Sequence, residues 1–228
     1  MNKLSKLSDK RLVGYCTYCG KKPETKDHVP SKILLDSPFP ENLPVVSCCK
    51  KCNQNFSKDE EYFACLVECI IRGTTEPAKL VRKKVIDILE RKPKLKARLT
   101  RAMENHVGQT HFRAEEERTN KVILKLARGH ATFENSELQL EEPFSVKTQP
   151  IHLMNEVEIN EFFSLDEGLL PEVGSRALQR LFIYDESFIN NWLVIQKDIY
   201  MYSVNHGPYG LIVKFLIWNY LACEVIWN

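Results

Sequence analysis

The 228-residue chain lacks an uninterrupted apolar run of membrane-spanning length. Its most apolar stretch, LIVKFLIWNYLACEVIW near the C-terminus, is broken by Lys214, Asn219 and Glu224 and is rich in strand-forming residues. The opening MNKLSKLSDKRLVGY lacks the apolar core of a secretory signal. A soluble, cytoplasmic protein away from membranes is the expectation. No internal repeat or low-complexity tract is present, which argues against solenoids and disordered linkers. Nor is there an excess of either charge: the net charge is +2. Without a signal segment, eight cysteines in paired spacings point to thiolate metal ligation in a reducing compartment rather than to disulfides.

What is present suffices for a packed core: 43% of residues are apolar and 27% charged. The charge is segregated. Lys79 to Arg101 carries ten Lys or Arg against Asp87 and Glu90, a balance of +8, whereas Glu134 to Glu172 carries ten acids against Lys147, a balance of −9. Such a basic segment suits a polyanion, and the acidic one suits an autoinhibitory DNA mimic or a docking surface. Solvated helix and loop faces are the plainer explanation of both.

Four stretches follow from the patterning. Residues 1–11 form a polar arm and residues 12–75 a cysteine-rich module. Within it, Leu43 to Ser47 extends as a strand after a proline-rich loop, and an amphipathic helix follows, capped by Ser57 with Glu60 and stopped by Gly73. Residues 76–120 form a basic helical segment, with Pro77 near its start and a break near Pro93. Residues 121–228 are β-rich: the chain gains strand character from about Lys121, NEVEINEFF adds a helix, and two long strands flank the turn HGPYG. The expected class is α+β.

Cys16 and Cys19 form one Cys-x-x-Cys pair, and Cys49 and Cys52 form another. Two residues between thiolates let both reach one ion, and two such pairs complete a closed tetrahedral Cys₄ zinc site. Cys48 could replace Cys49 only with a less favourable three-residue gap. Cys65, Cys69 and Cys223 read as core cysteines. His106, His111, His130, His152 and His206 read as surface or packing residues, and Trp192, Trp218 and Trp227 as core.

A structural zinc does not need Asp27-His28, Asn42 or Asn53. With these residues in the frame CTYC, KDHVPSK, ENLPVVSCCKKCN and FSKDEEYF, the stretch from Tyr15 to Phe63 resembles the HNH endonuclease family. The resemblance implies a ββα-metal, treble-clef-like module braced by zinc. It implies His28 as general base, Asp27 and Asn53 as ligands of a catalytic Mg²⁺ or Mn²⁺, and Asn42 orienting the base. Asn53 departs from the histidine commoner at that position, which favours an oxygen-liganded ion. A role in phage defence or mobile elements is likewise an expectation from the family.

Lys58, Lys83, Lys84, Arg91 and Lys92 are the candidate nucleic-acid contacts, for DNA with RNA as the alternative. Two other functions compete. One is a non-catalytic zinc module that binds nucleic acid or protein; the other is an effector switched on by a protein subunit.

Overall fold

The structure is a computed structural model that describes residues 10–41, 43–106, 109–164, 175–176, 188–189, 192–207 and 210–228. It is a mixed helix-and-sheet protein with two compact units, Met1–Asn53 with Ile123–Asn228, and Gln54–Val122.

In the first unit, β1 (Thr25–His28) and β2 (Val45–Cys48) pair antiparallel, with Asp27 opposite Val46 and His28 opposite Val45. Helix α1 (Lys50–Arg72) follows β2 almost directly. The Glu24 carboxylate accepts the Lys50 backbone N–H at 3.1 Å, so an acid just before β1 satisfies a donor at the start of the helix. Ser57 therefore lies inside α1 rather than capping it. The expected start, Lys58 after a Ser57 cap, was eight residues late because a carboxylate remote in sequence replaces the local cap. Gly73 ends the helix as expected, at a φ of 62° that glycine adopts without a Cβ penalty.

The second unit continues with α2 (Lys83–Arg91) and α3 (Pro93–Ala102), broken at Pro93 as the sequence predicts. A hairpin of β3 (Met103–His106) and β4 (Gln109–Phe112) comes next. Pro77 opens an isolated turn of 3₁₀ helix, Pro77–Lys79, rather than the main helix. The path into α2 is set by Glu68, buried on α1, whose Oε1 accepts the backbone N–H groups of Val81 and Arg82 at 2.8 and 3.3 Å.

Helix α4 (Glu116–Asn135) runs from the second unit into the first. It corrects the expectation of strand character from Lys121. Val122 and Ile123 favour strands, but Val122, Ile123, Leu126, Ala127 and Ala131 are all buried at helical spacing, so tertiary burial decides. Gly129 gains its place from packing: a Cβ there would lie 2.6 Å from Val29 Cγ2.

The remaining elements are β5 (Ser145–Pro150), α5 (Glu156–Phe163), β6 (Phe188–Ile189), β7 (Trp192–Gln196), β8 (Tyr200–Gly207), β9 (Gly210–Ile217) and β10 (Leu221–Trp227). The strands form an antiparallel sheet in the order β5-β10-β9-β8-β7-β6. Each of the two expected long strands is in fact a hairpin. The turns use positive φ at Asp198 (60°) and at Trp218 and Asn219 (54° and 49°), where a tryptophan gave no turn signal. Helix α5 carries the capping box Asn155–Glu158 and packs Phe162 against Trp192, Leu216 and Ala222.

Cys65, Cys69, Cys223 and the three tryptophans are buried, as read from the sequence. Of the acidic segment, residues 165–172 lie outside the described residues. Glu134 is buried and accepts the Tyr202 hydroxyl, and Glu137 meets His206 at 2.8 Å. Among the described residues no helix is long and apolar enough to cross a membrane.

Candidate functional site

The four cysteines converge. Cys16 and Cys19 lie on a turn before β1, where the Cys19 and Gly20 N–H groups bond back to the Cys16 carbonyl at 3.3 and 2.8 Å. Cys49 and Cys52 straddle the start of α1, and the Cys52 N–H points at Cys49 Sγ, 3.4 Å away. All four sulfurs lie within 4.8 Å of one another. Cys19 and Cys49 are 3.7 Å apart, near the ~3.8 Å sulfur separation of a tetrahedron with 2.3 Å zinc bonds. The donor set therefore fits a structural zinc.

Cys48 stays outside this set. Its hydrogen bond to Cys16 lowers the Cys16 thiol to about 4, more than burial raises it, while the same bond pushes the Cys48 thiol up. The Cys48 thiol donates to the Cys49 carbonyl at 3.3 Å.

Around this knot lie the residues of the Asp-His dipeptide. Asp27 and Thr25 share one face of β1, and His28 points to the other. Asn53, one turn into α1, donates its amide to Thr25 Oγ1 at 3.2 Å, and Thr25 in turn donates to the Cys48 carbonyl at 2.9 Å. The loop carrying the chain from His28 to β2 is fastened to the sheet. Gln196 bonds the Asp36 N–H and carbonyl at 2.9 and 3.0 Å, and Trp218 Nε1 donates to the Leu34 carbonyl at 2.9 Å. Asn42, on this loop, lies outside the described residues. His28 is half-buried. That burial, with Lys32 and then Lys125 nearby, lowers its pKa below the ordinary imidazole value against the opposite pull of Asp27.

One residue of this site was missed in the sequence. Lys125, from α4, is 1% exposed and reaches Asp27 Oδ2 at 2.8 Å. It also donates to Ser31 Oγ at 2.6 Å, and its ammonium stands 5.9 Å from the Tyr18 ring centre. Asp27 Oδ2 further accepts the Tyr18 hydroxyl at 2.6 Å. The only signal for Lys125 was a basic residue flanking Val122 and Leu126, and it becomes visible once α4 is recognised as a helix.

A dication bonded to Asp27 would stand roughly 4–5 Å from this ammonium, a repulsion of about 7 kcal/mol at an effective dielectric constant near 20. Asp27, held in this way, does not fit the divalent cation that the HNH resemblance implies.

The candidate polyanion contacts lie in the second unit. Lys58, Arg91 and Lys92 line a cavity of about 580 Å³ together with Lys94, Arg98 and Arg118, which the sequence did not single out. Within it Lys92 pairs with Glu61, and Arg118 lies 4.3 Å from the Tyr62 ring centre while pairing with Asp59 at 2.6 Å. Lys83 and Lys84 begin α2 and are not among the lining residues.

No family model, curated protein or solved structure matches this chain.

Proposed function

We propose that this protein is an endonuclease of the HNH kind that hydrolyses phosphodiester bonds in DNA, with His28 as general base. The observation that carries the reading is the order β1, β2, α1 around a Cys₄ cluster, with Asp27-His28 at the end of β1 and Asn53 in the first turn of α1. The zinc module belongs in this reading to the treble-clef-like, ββα class. His28 takes a proton from the attacking water, a contribution of about 10²–10⁴-fold in rate, as the water oxygen bonds to phosphorus and the P–O3′ bond breaks; the departing 3′ oxygen takes a proton from solvent. Thr25 and the Cys48 carbonyl hold Asn53 in line. The cationic cavity of the second unit offers phosphate contacts that position the nucleic acid without reading its sequence. In this reading the Asp27 carboxylate holds the Lys125 ammonium in place of Mg²⁺ or Mn²⁺.

A second reading, a non-catalytic zinc module that binds nucleic acid, is favoured by the same Lys125–Asp27 pair, which resembles a structural clamp more than an open ion site. Supercoiled plasmid and a labelled RNA, incubated with zinc-loaded wild type and His28→Ala, separate the two. The nuclease reading expects cleavage by the wild type and a loss of about 10²–10⁴-fold in the variant. Equal behaviour of two folded proteins, both binding nucleic acid and neither cutting it, would leave only the binding module.

A further inference from the structure

We infer that the ammonium of Lys125 is the resident cation of the Asp27 site and that no divalent ion binds Asp27 in this protein. The inference deepens the proposed function by fixing which positive charge the site contains. Its test reads ion binding rather than cleavage, so either can fail without the other.

The inference rests on three contacts and the burial of both partners. Lys125 Nζ lies 2.8 Å from Asp27 Oδ2 and 2.6 Å from Ser31 Oγ, and its side chain is 1% exposed. The same carboxylate oxygen takes the Tyr18 hydroxyl at 2.6 Å, so two donors, one of them a full positive charge, converge on Oδ2 of the carboxylate. Asp27 is 13% exposed and thus also screened from water. An ammonium so enclosed cannot swing into solvent to make way for a dication without leaving its charge desolvated along the path. Its stem is fixed as well, because Lys125 stands on α4 between the buried residues Ile123 and Leu126.

The donor chemistry agrees with this assignment. An ammonium has three protons to donate, and Asp27 and Ser31 supply two of the acceptors. The Tyr18 ring lies nearby as a third, weaker partner for the charge. Mg²⁺ instead needs near-octahedral oxygen ligation and keeps several waters. The Asn53 amide, which the resemblance offers as the second ligand, is turned with its N–H toward Thr25. A pocket built for one monovalent, tetrahedral donor is a different object from a hydrated dication site.

The test uses the full zinc-loaded chain, with histidine labelled in the ring, titrated with Mn²⁺ alone. Paramagnetic loss of the His28 ring signal reports an ion at the neighbouring Asp27. The expected result is a His28 signal in the wild type that survives equimolar Mn²⁺, and a saturable loss of it in Lys125→Met, where the carboxylate is freed. Adding Asp27→Asn to Lys125→Met should restore the signal. A saturable loss in the wild type that Asp27→Asn abolishes would overturn the inference. So would a folded Lys125→Met variant that takes up no Mn²⁺ at this position, since the ammonium would then not be what excludes the ion. Should Lys125→Met fail to fold, the wild-type titration with and without Asp27→Asn still decides.

Discussion

Lys125 Nζ and Asp27 Oδ2 lie 2.8 Å apart, joining the middle of α4 to the end of β1. Truncating one partner leaves the other charge buried without its counterion. Lys125→Met or Asp27→Asn is therefore expected to lower stability by about 3 kcal/mol. The double variant should recover part of that loss, because neither charge then remains. Urea unfolding of the four proteins, compared as a cycle, checks this; strictly additive losses would mean that the pair does not interact.

Cys48 and Cys52 make a second comparison. The two are close in sequence, yet only Cys52 belongs to the converging set of four sulfurs. Cys52→Ser should lose most of the zinc and much of the fold of the first unit, since metal binding and folding are one equilibrium in such knots. Cys48→Ser should retain one zinc per chain. Metal analysis of the purified variants decides, and loss of zinc from Cys48→Ser would reassign the ligand.

His130 carries a prediction about pH. It is fully buried, donates to or accepts from the Tyr200 hydroxyl at 2.7 Å, and stacks on Tyr202 with ring centres 3.8 Å apart. Burial, helped by the charge of Lys125, holds its pKa well below the ordinary imidazole value. Above pH ~6.5 the ring is neutral in both folded and unfolded chains and adds no pH dependence. As the pH falls further, the unfolded chain takes up a proton that the folded chain refuses, so stability drops until the folded pKa is reached. The expected slope is up to about 1.4 kcal/mol per pH unit from this residue. Unfolding curves at pH ~7 and ~5 should differ less for His130→Gln than for the wild type. A ring that titrates normally by NMR would contradict the prediction.

Much of the N-terminal site was legible because its logic is local. Cys-x-x-Cys spacing, Gly73 as a stop and Pro93 as a break each act over a few residues. What escaped was decided across the chain. Glu24 satisfies the start of α1 from before β1, which no helix-capping pattern around Ser57 could reveal. The β-branched residues of α4 pointed to a strand until burial against the core chose the helix. Trp218 at positive φ hid a turn, and the donation of its ring nitrogen to the Leu34 carbonyl helps explain why it is there. Lys125 was invisible for the same reason, because its meaning lies in an aspartate of another element.

The clamp from α4 also bears on how such a protein can be cut, shuffled or inherited. Lys125 meets Ser31 across 94 positions of the chain. A fragment that stops after α1 would carry all four cysteines and the Asp-His dipeptide, yet its Asp27 would face a gap where a counterion belongs. The transferable piece is therefore discontinuous: a hairpin with its zinc knot and, far downstream, one turn of a helix. Recombination between the two would preserve the recognisable motif while discarding the charge that completes it.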